Sequence, residues 1–362
     1  MPYSVVFAPD SFKGSASAAS VAAALAEGWS SVRPGDRVLL APMADGGEGT
    51  LDAFELAVPG SVRRPIRVTG PVGVEVDASW LLLPDGTALV ELAETSGLGL
   101  LTAFEPLDAT TAGFGQAIAE ALAAGATRLL LAIGGSSSTD GGAGALVALG
   151  ARLLDAEGRP ICAGGRGLAD LVTADLTGLP PLPPRGVRIL SDVTNPLLGS
   201  LGAAAVFGPQ KGADAGQVAV LEAALTRFAA VLGRPSDAVG SGAAGGTGYG
   251  LLAWGAVLAP GAEAVGDALG LPRLVTSADA VVTGEGRFDS QSAAGKVPDY
   301  VSGLARAAGL PAYLAAGSIE APTDSFAAAA SLSALAGGSA AAIADATRWA
   351  RVAGAELAAT VV

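Results

Sequence analysis

The chain has 362 residues and a formal charge of −13, and 51% of its residues are hydrophobic whereas 15% are charged. This composition excludes a disordered chain and favours a large core, organised as two domains or as one domain with a sizeable insertion. The acidic balance, without any basic stretch, makes nucleic acid a poor candidate partner. The sequence contains no histidine, so a Ser-His-Asp triad and a histidine metal site are both excluded.

Cysteine usage and hydropathy predict a protein of the cytoplasm. The single cysteine, Cys162, cannot form an internal disulfide, which suits a reducing compartment. The apolar run at 4–8 has the length of a strand and does not resemble a signal peptide. The longest uncharged stretch, 325–344, is mostly Ala, Ser and Gly and is too weakly apolar for a membrane span. We expect no membrane partner, and the oligomeric state stays open between monomer and homodimer.

The elements at the two ends of the chain alternate between strand and helix. The N-terminal part has strand-like runs at Ser4–Ala8 and Arg37–Ala41, with the helix-like run Ala16–Ser31 between them. The C-terminal part has strand-like runs at Ala280–Thr283, Ala312–Ala315 and Leu332–Leu335, and helix-like runs at Lys296–Ala308, Ser325–Ala330 and Ala340–Thr360. This alternation predicts an α/β fold with a flavodoxin-like, parallel, doubly wound sheet to which both ends of the chain contribute.

The middle of the chain has a different pattern. A strand-like run at Val74–Leu83, a turn at 84–86 and a second run at Thr87–Ala93 predict a meander. Helix-like Gly113–Ala124 and strand-like Arg128–Ile133 and Val187–Leu190 follow. We therefore predict a second α/β domain inserted at 65–270, with residues 1–64 and 271–362 forming the discontinuous flavodoxin-like domain. A linear two-domain arrangement is the alternative.

Four loops rich in glycine and acidic residues carry the functional signal, at 8–15, 44–50, 133–142 and 283–289. Each follows a strand-like run and precedes an alanine-rich, helix-like run. Such a junction directs backbone N–H groups and the positive end of a helix at a ligand, usually a phosphate. The Asp, Lys and hydroxyl side chains in the same loops are typical of a kinase, which handles phosphate, metal and substrate together.

The first two loops are candidates for substrate binding. Asp10, Ser11 and Lys13 follow the first strand, where the lysine adds a positive charge to free backbone N–H groups. Asp45 and Glu48 can hold Mg²⁺ or accept hydrogen bonds from sugar-like hydroxyls. An ordinary capped turn is the alternative for both loops.

The third loop is the candidate site for ATP phosphates. It offers Gly134, Gly135, Ser136, Ser137, Ser138 and Thr139 as donors, with Asp140 available to a metal ion. No Gly-Lys-Ser/Thr follows at the spacing of a Walker A loop. A serine-rich surface loop is the alternative. The Gly240–Gly245 run fits G-x-G-x-x-G but follows no strand, so a dinucleotide site is not predicted there.

Further candidates come from three later motifs. Asp192, at the end of a strand-like run, can act as a general base, or it can belong to an ordinary turn. Lys211 stands beside flexible glycine-containing backbone. In the fourth loop, Arg287 can bind a carboxylate or phosphate and Asp289 can bind metal, while Lys296 starts the next helix.

Taken in order, these motifs resemble those of the bacterial type-1 glycerate kinases, the glycerate 2-kinases. The matching stretches are Ala8–Ser15, Pro42–Thr50, Val90–Leu101, Ile133–Gly142, Asp192–Gly199, Val206–Ala213 and Val282–Gln291 with Gly295 and Lys296. The chain has Ser-Ser-Ser-Thr at 136–139, where Ser-Ala-Thr-Asn is commoner in the family. The resemblance implies phosphorylation of D-glycerate by ATP with Mg²⁺, most often at the 2-hydroxyl. It also implies a flavodoxin-like domain with a second α/β domain inserted.

We therefore predict an in-line transfer of the γ-phosphoryl group of ATP in a cleft between two domains that close around it. The predicted roles are as follows: Asp192 as the base with Asp45 as its rival; Lys13, Arg287 and Lys211 on the substrate carboxylate or phosphoryl group; Asp10, Ser11 and Glu48 on the substrate; Lys296 with the ATP loop; and Asp140 and Asp289 on Mg²⁺. A kinase for another small hydroxy acid, transfer to the 3-hydroxyl, and an FMN-binding protein are the alternatives.

Overall fold

The computed structural model describes residues 3–289 and 296–361. Its strands are β1 Ser4–Pro9, β2 Arg37–Leu40, β3 Val62–Thr69, β4 Glu75–Leu82, β5 Thr87–Glu91, β6 Arg128–Ala132, β7 Arg152–Leu154, β8 Thr173–Asp175, β9 Val187–Leu190, β10 Val257–Ala259, β11 Ala280–Phe288, β12 Ala312–Ile319 and β13 Ala328–Ser331. Its α-helices are α1 Ala18–Val32, α2 Thr50–Ala57, α3 Leu92–Ser96, α4 Ala112–Ala123, α5 Ala143–Ala148, α6 Gly164–Gly167, α7 Ala203–Phe207, α8 Ala215–Leu232, α9 Thr247–Trp254, α10 Gly261–Leu269, α11 Leu271–Thr276, α12 Val297–Ala307, α13 Leu332–Ala336, α14 Ser339–Ala344 and α15 Ala346–Ala359.

The chain divides into two compact units, and each is discontinuous. The first unit comprises Met1–Asp45, Asp52–Pro59 and Pro260–Val362, and the second comprises Gly46–Leu51 and Gly60–Ala259. The insertion predicted from the sequence spans 65–270. The second unit therefore starts earlier, ends earlier, and also includes a short piece of the second acidic loop.

The first unit contains a five-stranded parallel sheet in the order β13-β12-β11-β1-β2. When the five strands are numbered in chain order within this sheet alone, their order is that of flavodoxin. The predicted α/β class is therefore confirmed. Trp29 of α1 fills the core, with ring centroids 5.9 Å from Phe7 and 5.6 Å from Tyr313. Helices α1 and α15 pack very closely, since a Cβ atom at Gly354 would lie 2.1 Å from the carbonyl oxygen of Leu25.

Two element predictions near the C-terminus were wrong. Leu332–Leu335 was predicted as a strand and lies in α13, whereas Ser325–Ala330 was predicted as a helix and contributes to β13. Alanine favours helices in isolation, but here the segment pairs with the buried strand β12, with Tyr313 opposite Ala328. The predicted helix over 340–360 is interrupted at Asp345, whose side chain accepts a hydrogen bond from the Arg348 N–H group and caps α15.

The second unit contains a six-stranded sheet in the order β10-β9-β6-β5-β4-β3. The first four strands of that order are parallel, and β4 and β5 form the predicted antiparallel pair. The third strand of the meander, β3, was not predicted. Glu91, Ala132, Leu190 and Ala259 lie side by side at the carboxyl ends of the parallel strands. The loops after β5, β6 and β9 therefore leave the sheet at one edge, which is where α/β sheets bind ligands.

One helix in the described part of the chain, α8, is long and apolar enough to cross a membrane by length and composition alone. A single helix of this kind is weak evidence for a membrane span, because core helices pass the same test. Leu221, Leu225 and Phe228 of α8 are fully buried in the core of the second unit. A capping box formed by Asp214 and Gln217 begins the helix.

Candidate functional site

The loop at Ile133–Gly142 is held by backbone contacts at the carboxyl edge of the second unit's sheet. The N–H group of Gly134 donates to the carbonyl oxygen of Gly46 at 2.9 Å. The backbone N–H and the hydroxyl of Ser137 both donate to the carbonyl oxygen of Ser96, at 3.1 and 2.8 Å. The hydroxyl-rich segment therefore has a defined path between two neighbouring segments, unlike a serine-rich surface loop.

The hydroxyl groups of this loop are buried, and two of them lack partners. Ser136, Ser137, Ser138 and Thr139 are at most 5% exposed. Within the described residues, Ser138 Oγ and Thr139 Oγ1 have no hydrogen-bond partner, and the same holds for Ser96 Oγ. A buried, unsatisfied polar group costs about 1–3 kcal/mol, so native proteins seldom keep one without a use. These hydroxyls are suited to a polar ligand.

Lys211 places a positive charge against the same loop. Its Nζ atom donates to Ser136 Oγ at 2.7 Å and to the carbonyl oxygen of Ser138. The side chain is buried, and burial lowers the pKa of Lys211 to about 7, although the nearby Asp140 opposes this shift. The structure thus places this residue, which the sequence assigned to the acceptor substrate, with the predicted ATP-binding residues.

Close packing explains one glycine of the Gly240–Gly245 run, at which no dinucleotide site is predicted. A Cβ atom at Gly245 would lie 2.1 Å from the carbonyl oxygen of Ser138 and 2.8 Å from Lys211 Nζ. Gly245 also has a φ of +65°, a conformation that L side chains rarely adopt. The Gly240–Gly245 segment therefore packs directly on the hydroxyl loop, and glycine at 245 permits this close contact.

Asp140 is engaged by the protein itself. Its Oδ2 accepts hydrogen bonds from Thr111 N and Oγ1, both at 2.8 Å, from Gly144 N at 3.2 Å and from Thr110 Oγ1 at 3.5 Å. Its Oδ1 accepts one from Gly142 N at 3.1 Å. A buried carboxylate with this many donors stabilises its loop and has little capacity left for a metal ion.

Within the residues that the structure describes, neither predicted metal ligand belongs to an acidic cluster suited to a metal ion. Across 3–289 and 296–361 no group of three or more acidic or cysteine side chains is arranged to hold one. Asp289 is partly buried and follows the end of β11. Ser290, Gln291 and Gly295, which belong to the last matched motif, lie outside the described residues.

Asp192 and Glu91 lie at the same edge of the second unit's sheet. Asp192 is partly buried just beyond the end of β9, next to the strand that leads into the hydroxyl loop. Glu91, the last residue of β5, was not among the sequence-predicted site residues. The sequence did carry a signal for it, because Glu91 is the one charged residue in the otherwise uncharged run at 87–93.

The first unit gathers acidic groups at the carboxyl end of β1 and at the part of β11 beside it. Asp10 is buried, and its Oδ1 accepts a hydrogen bond from Ser11 N at 2.6 Å. Burial raises the pKa of Asp10 well above its usual range, and repulsion from Asp45 and Glu285 adds to this, whereas Lys13 opposes it. Since the strand order reverses between β1 and β11, these groups lie at the switch point of the flavodoxin-like sheet.

The fourth loop differs from its prediction. The sequence predicted a loop over 283–289, but β11 continues to Phe288, which packs against Phe326 in a small apolar cluster. This extension places Glu285 within the strand, with its Oε2 3.9 Å from Lys296 Nζ. Lys296 therefore pairs with Glu285 within the first unit. Arg287 is exposed, and its Nε atom is 3.5 Å from Oε1 of Glu320.

The remaining predicted residues are accessible. Lys13 and Glu48 are exposed, whereas Ser11 and Asp45 are partly buried. The structure thus brings Asp10, Ser11, Lys13, Asp45 and Glu285 together within the first unit, and Ser136–Thr139 with Lys211 within the second.

Replacing Asp10 by asparagine is expected to stabilise the protein near neutral pH. Because the folded-state pKa of Asp10 is raised, the unfolded chain loses this proton first, and the free energy of unfolding falls as pH rises between the two pKa values. Asparagine does not ionise, so Asp10→Asn removes this fall in the free energy of unfolding. Thermal unfolding should show a higher melting temperature than wild type at pH 8, and no gain at about pH 3, where both states are protonated. A variant less stable than wild type at pH 8 would contradict this.

Sequence and structure comparisons agree on one family. Residues 5–362 match the profile of the glycerate kinase family. The chain is 44% identical over 325 residues to the glycerate 2-kinase of Escherichia coli K12 and to the glycerate kinase of Bacillus subtilis 168, covering 87% of this chain and 85% of each relative. A crystal structure from Salmonella typhimurium LT2, of a protein assigned as glycerate kinase 2, superposes with a TM-score of 0.84 at 41% identity, covering 99% of this chain and 98% of that one. The chain therefore belongs to the glycerate kinase family and is a kinase.

Proposed function

We propose that this enzyme transfers the γ-phosphoryl group of ATP to the 2-hydroxyl of D-glycerate, giving 2-phospho-D-glycerate. The observation that carries the proposal is the buried Lys211 amine beside hydroxyls that lack partners in the described part of the chain. The family supplies glycerate as the acceptor, and the relative from Escherichia coli, which is named a glycerate 2-kinase, favours the 2-hydroxyl.

The second unit is proposed to bind the ATP phosphates. Ser136–Thr139 supply neutral hydrogen-bond donors, and Lys211 supplies the positive charge, which this acidic protein must concentrate locally to hold a polyanion. A buried cation acts on developing phosphoryl charge in a medium of low dielectric, where its effect is greatest. We add Ser96 to the proposed site, because its buried hydroxyl also lacks a partner among the described residues.

We propose that the residues that bind the acceptor, D-glycerate, carry charges of both signs. Lys13 and Arg287 would bind the glycerate carboxylate, Lys13 through its compact ammonium group and Arg287 through its planar guanidinium group. Asp10, Ser11, Asp45 and Glu48 would accept hydrogen bonds from, or donate them to, the two glycerate hydroxyls. Asp192 would orient and deprotonate the attacking hydroxyl, a role that needs a carboxylate within hydrogen-bond reach.

Magnesium is proposed to arrive as part of the nucleotide substrate. Mg²⁺ in kinases is commonly held by substrate phosphates, water and one or two carboxylates, so a dedicated cluster is not required. Asp140 does not fit as a ligand, given its five hydrogen-bond donors. Asp289 remains the candidate carboxylate, and no step of the mechanism above depends on it.

Two further proposals concern the cellular compartment of the enzyme and the division of its chain into domains. We propose that it works in the cytoplasm, because its single, exposed cysteine suits a reducing compartment. We also propose that residues 1–64 and 271–362 form a flavodoxin-like domain and that residues 65–270 form an inserted α/β domain.

The proposed function is tested by incubating the purified protein with MgATP and D-glycerate and recording phosphorus NMR spectra of the product. We expect stoichiometric formation of ADP and a phosphomonoester whose phosphorus couples to the single proton at C2. Coupling to two protons would indicate the 3-hydroxyl instead. Turnover with another hydroxy acid but not with D-glycerate would move the acceptor assignment, and tight FMN binding without turnover would contradict a kinase.

A further inference from the structure

The N-terminus of helix α2 is held by a buried carboxylate from a different part of the same unit. Glu91 is 2% exposed. Its Oε1 accepts a hydrogen bond from Gly49 N at 2.9 Å, and its Oε2 accepts one from Leu51 N at 3.0 Å. These two N–H groups belong to the first turn of the helix and its entry, where backbone donors otherwise lack partners.

This arrangement changes what the second acidic loop can bind. A helix N-terminus with free N–H groups attracts phosphate, but here Glu91 already places a carboxylate there. The phosphate role that the sequence suggested for this junction is therefore taken by the protein's own anion. The loop is left to act through side chains and through the shape of its backbone.

Other contacts fix the same segment. Gly134 N donates to the Gly46 carbonyl oxygen, and Thr50 Oγ1 donates to the Gly47 carbonyl oxygen at 2.6 Å. Gly46 has a φ of +87°, and a Cβ atom there would lie 2.4 Å from the Leu190 carbonyl oxygen. The segment Gly46–Leu51 is thus held by hydrogen bonds and close packing at the carboxyl ends of β5, β6 and β9. Glu91 accepts two of these hydrogen bonds.

We propose that Glu91 is a positioning residue that fixes the Gly46–Leu51 segment, and with it Glu48, for binding the hydroxy-acid acceptor. The proposal rests on the proposed function, because it assigns this segment to the acceptor and not to the nucleotide. Glu91 acts through the backbone amides and contacts no substrate. Its loss should weaken acceptor binding selectively, because the hydroxyl loop keeps its separate bonds between Ser137 and Ser96.

The test variant is Glu91→Gln, which preserves size but turns one acceptor oxygen into an NH₂ group facing a backbone N–H. We expect the KM for D-glycerate to rise about tenfold or more, with the KM for ATP nearly unchanged, since the loss of one charge-assisted hydrogen bond and a small displacement of the segment suffice for this. Hydrogen exchange should become faster at Gly49 and Leu51.

The matched control is Asp36→Asn. Asp36 is also a carboxylate bound by backbone and side-chain donors, namely Tyr3 N and Trp29 Nε1, both at 2.9 Å, and Arg33 Nε. It directly precedes β2, at the end of the first unit's sheet that is opposite to Asp10. This control should lower the melting temperature and leave both KM values unchanged.

Three outcomes would overturn the assignment of Glu91. These are unchanged KM values in Glu91→Gln, an equal rise of both KM values, and unchanged exchange at Gly49 and Leu51. Failure of the proposed function looks different, because the wild-type protein itself would then not phosphorylate D-glycerate. In that case the exchange measurement would still show whether Glu91 holds the segment, and the acceptor role would be withdrawn.

Discussion

Lys211→Met is expected to lower kcat by about 100- to 1,000-fold, the usual cost of removing one preorganised charge that stabilises a transition state. The Lys211 Nζ atom donates hydrogen bonds to two oxygen atoms of the hydroxyl loop, so its loss removes a positive charge from the centre of the proposed phosphate site. Methionine has a similar length and no charge, and therefore retains packing while losing the interaction with phosphate. Steady-state kinetics with saturating ATP and D-glycerate would measure the loss.

The same variant separates catalysis from stability. Burial lowers the folded-state pKa of Lys211 to about 7. Below that pH the amine is charged in both states, and its burial lowers the free energy of unfolding by the full penalty. The penalty disappears as the pH rises toward the pKa of lysine in the unfolded chain. Lys211→Met should therefore be at least as stable as wild type at pH 6. Activity near that of wild type would contradict the phosphate-binding role, whereas a folded but inactive variant would support it.

Asp192→Asn is expected to lower kcat by about 10²- to 10⁴-fold while leaving the Kd for ATP unchanged, because a general base contributes on that scale and does not hold the nucleotide. Asparagine keeps the size and one oxygen of the side chain but cannot accept the proton of the attacking hydroxyl. The measurements are single-turnover rates and ATP titration by calorimetry.

Asp45→Asn is the matched comparison for Asp192→Asn. If Asp192 is the base, Asp45→Asn should raise the KM for D-glycerate more than it lowers kcat. The reverse pattern, near-normal turnover by Asp192→Asn with a severe loss of kcat in Asp45→Asn, would assign proton removal to Asp45. A rise in the Kd for ATP in Asp192→Asn would instead indicate a role in nucleotide binding.

Periodicity and turn residues were sufficient to predict most of the fold. The strand at Val187–Leu190 was predicted with its observed bounds, and the flavodoxin-like sheet followed from alternating strand-like and helix-like runs. The failures lie at Ser325–Ala330 and Leu332–Leu335, where alanine-rich sequence has no clear period. There the pairing of β13 with β12 determines the structure, and local propensity cannot show a tertiary contact of that kind.

The sequence motifs were sufficient to find the loops, but they did not show which residues contact the side chains of those loops. Ser136–Thr139 could be singled out by composition, whereas the contact of Lys211 with Ser136 joins residues that are distant in sequence. The five hydrogen bonds to Asp140 were likewise hidden, since an isolated aspartate in a glycine-rich loop looks the same whether it binds a metal ion or backbone amides. Burial and long-range packing decide such roles.

The buried amine of Lys211 links nucleotide binding to proton uptake. Burial lowers the pKa of Lys211 to about 7, so its buried amine changes its charge more readily near neutral pH than an exposed lysine does. A bound polyphosphate favours the charged form, so binding should draw a fraction of a proton from the solution and release should return it. The heat of ATP binding would then vary with the ionisation enthalpy of the buffer. The Kd for ATP should correspondingly fall as the pH is lowered through neutrality.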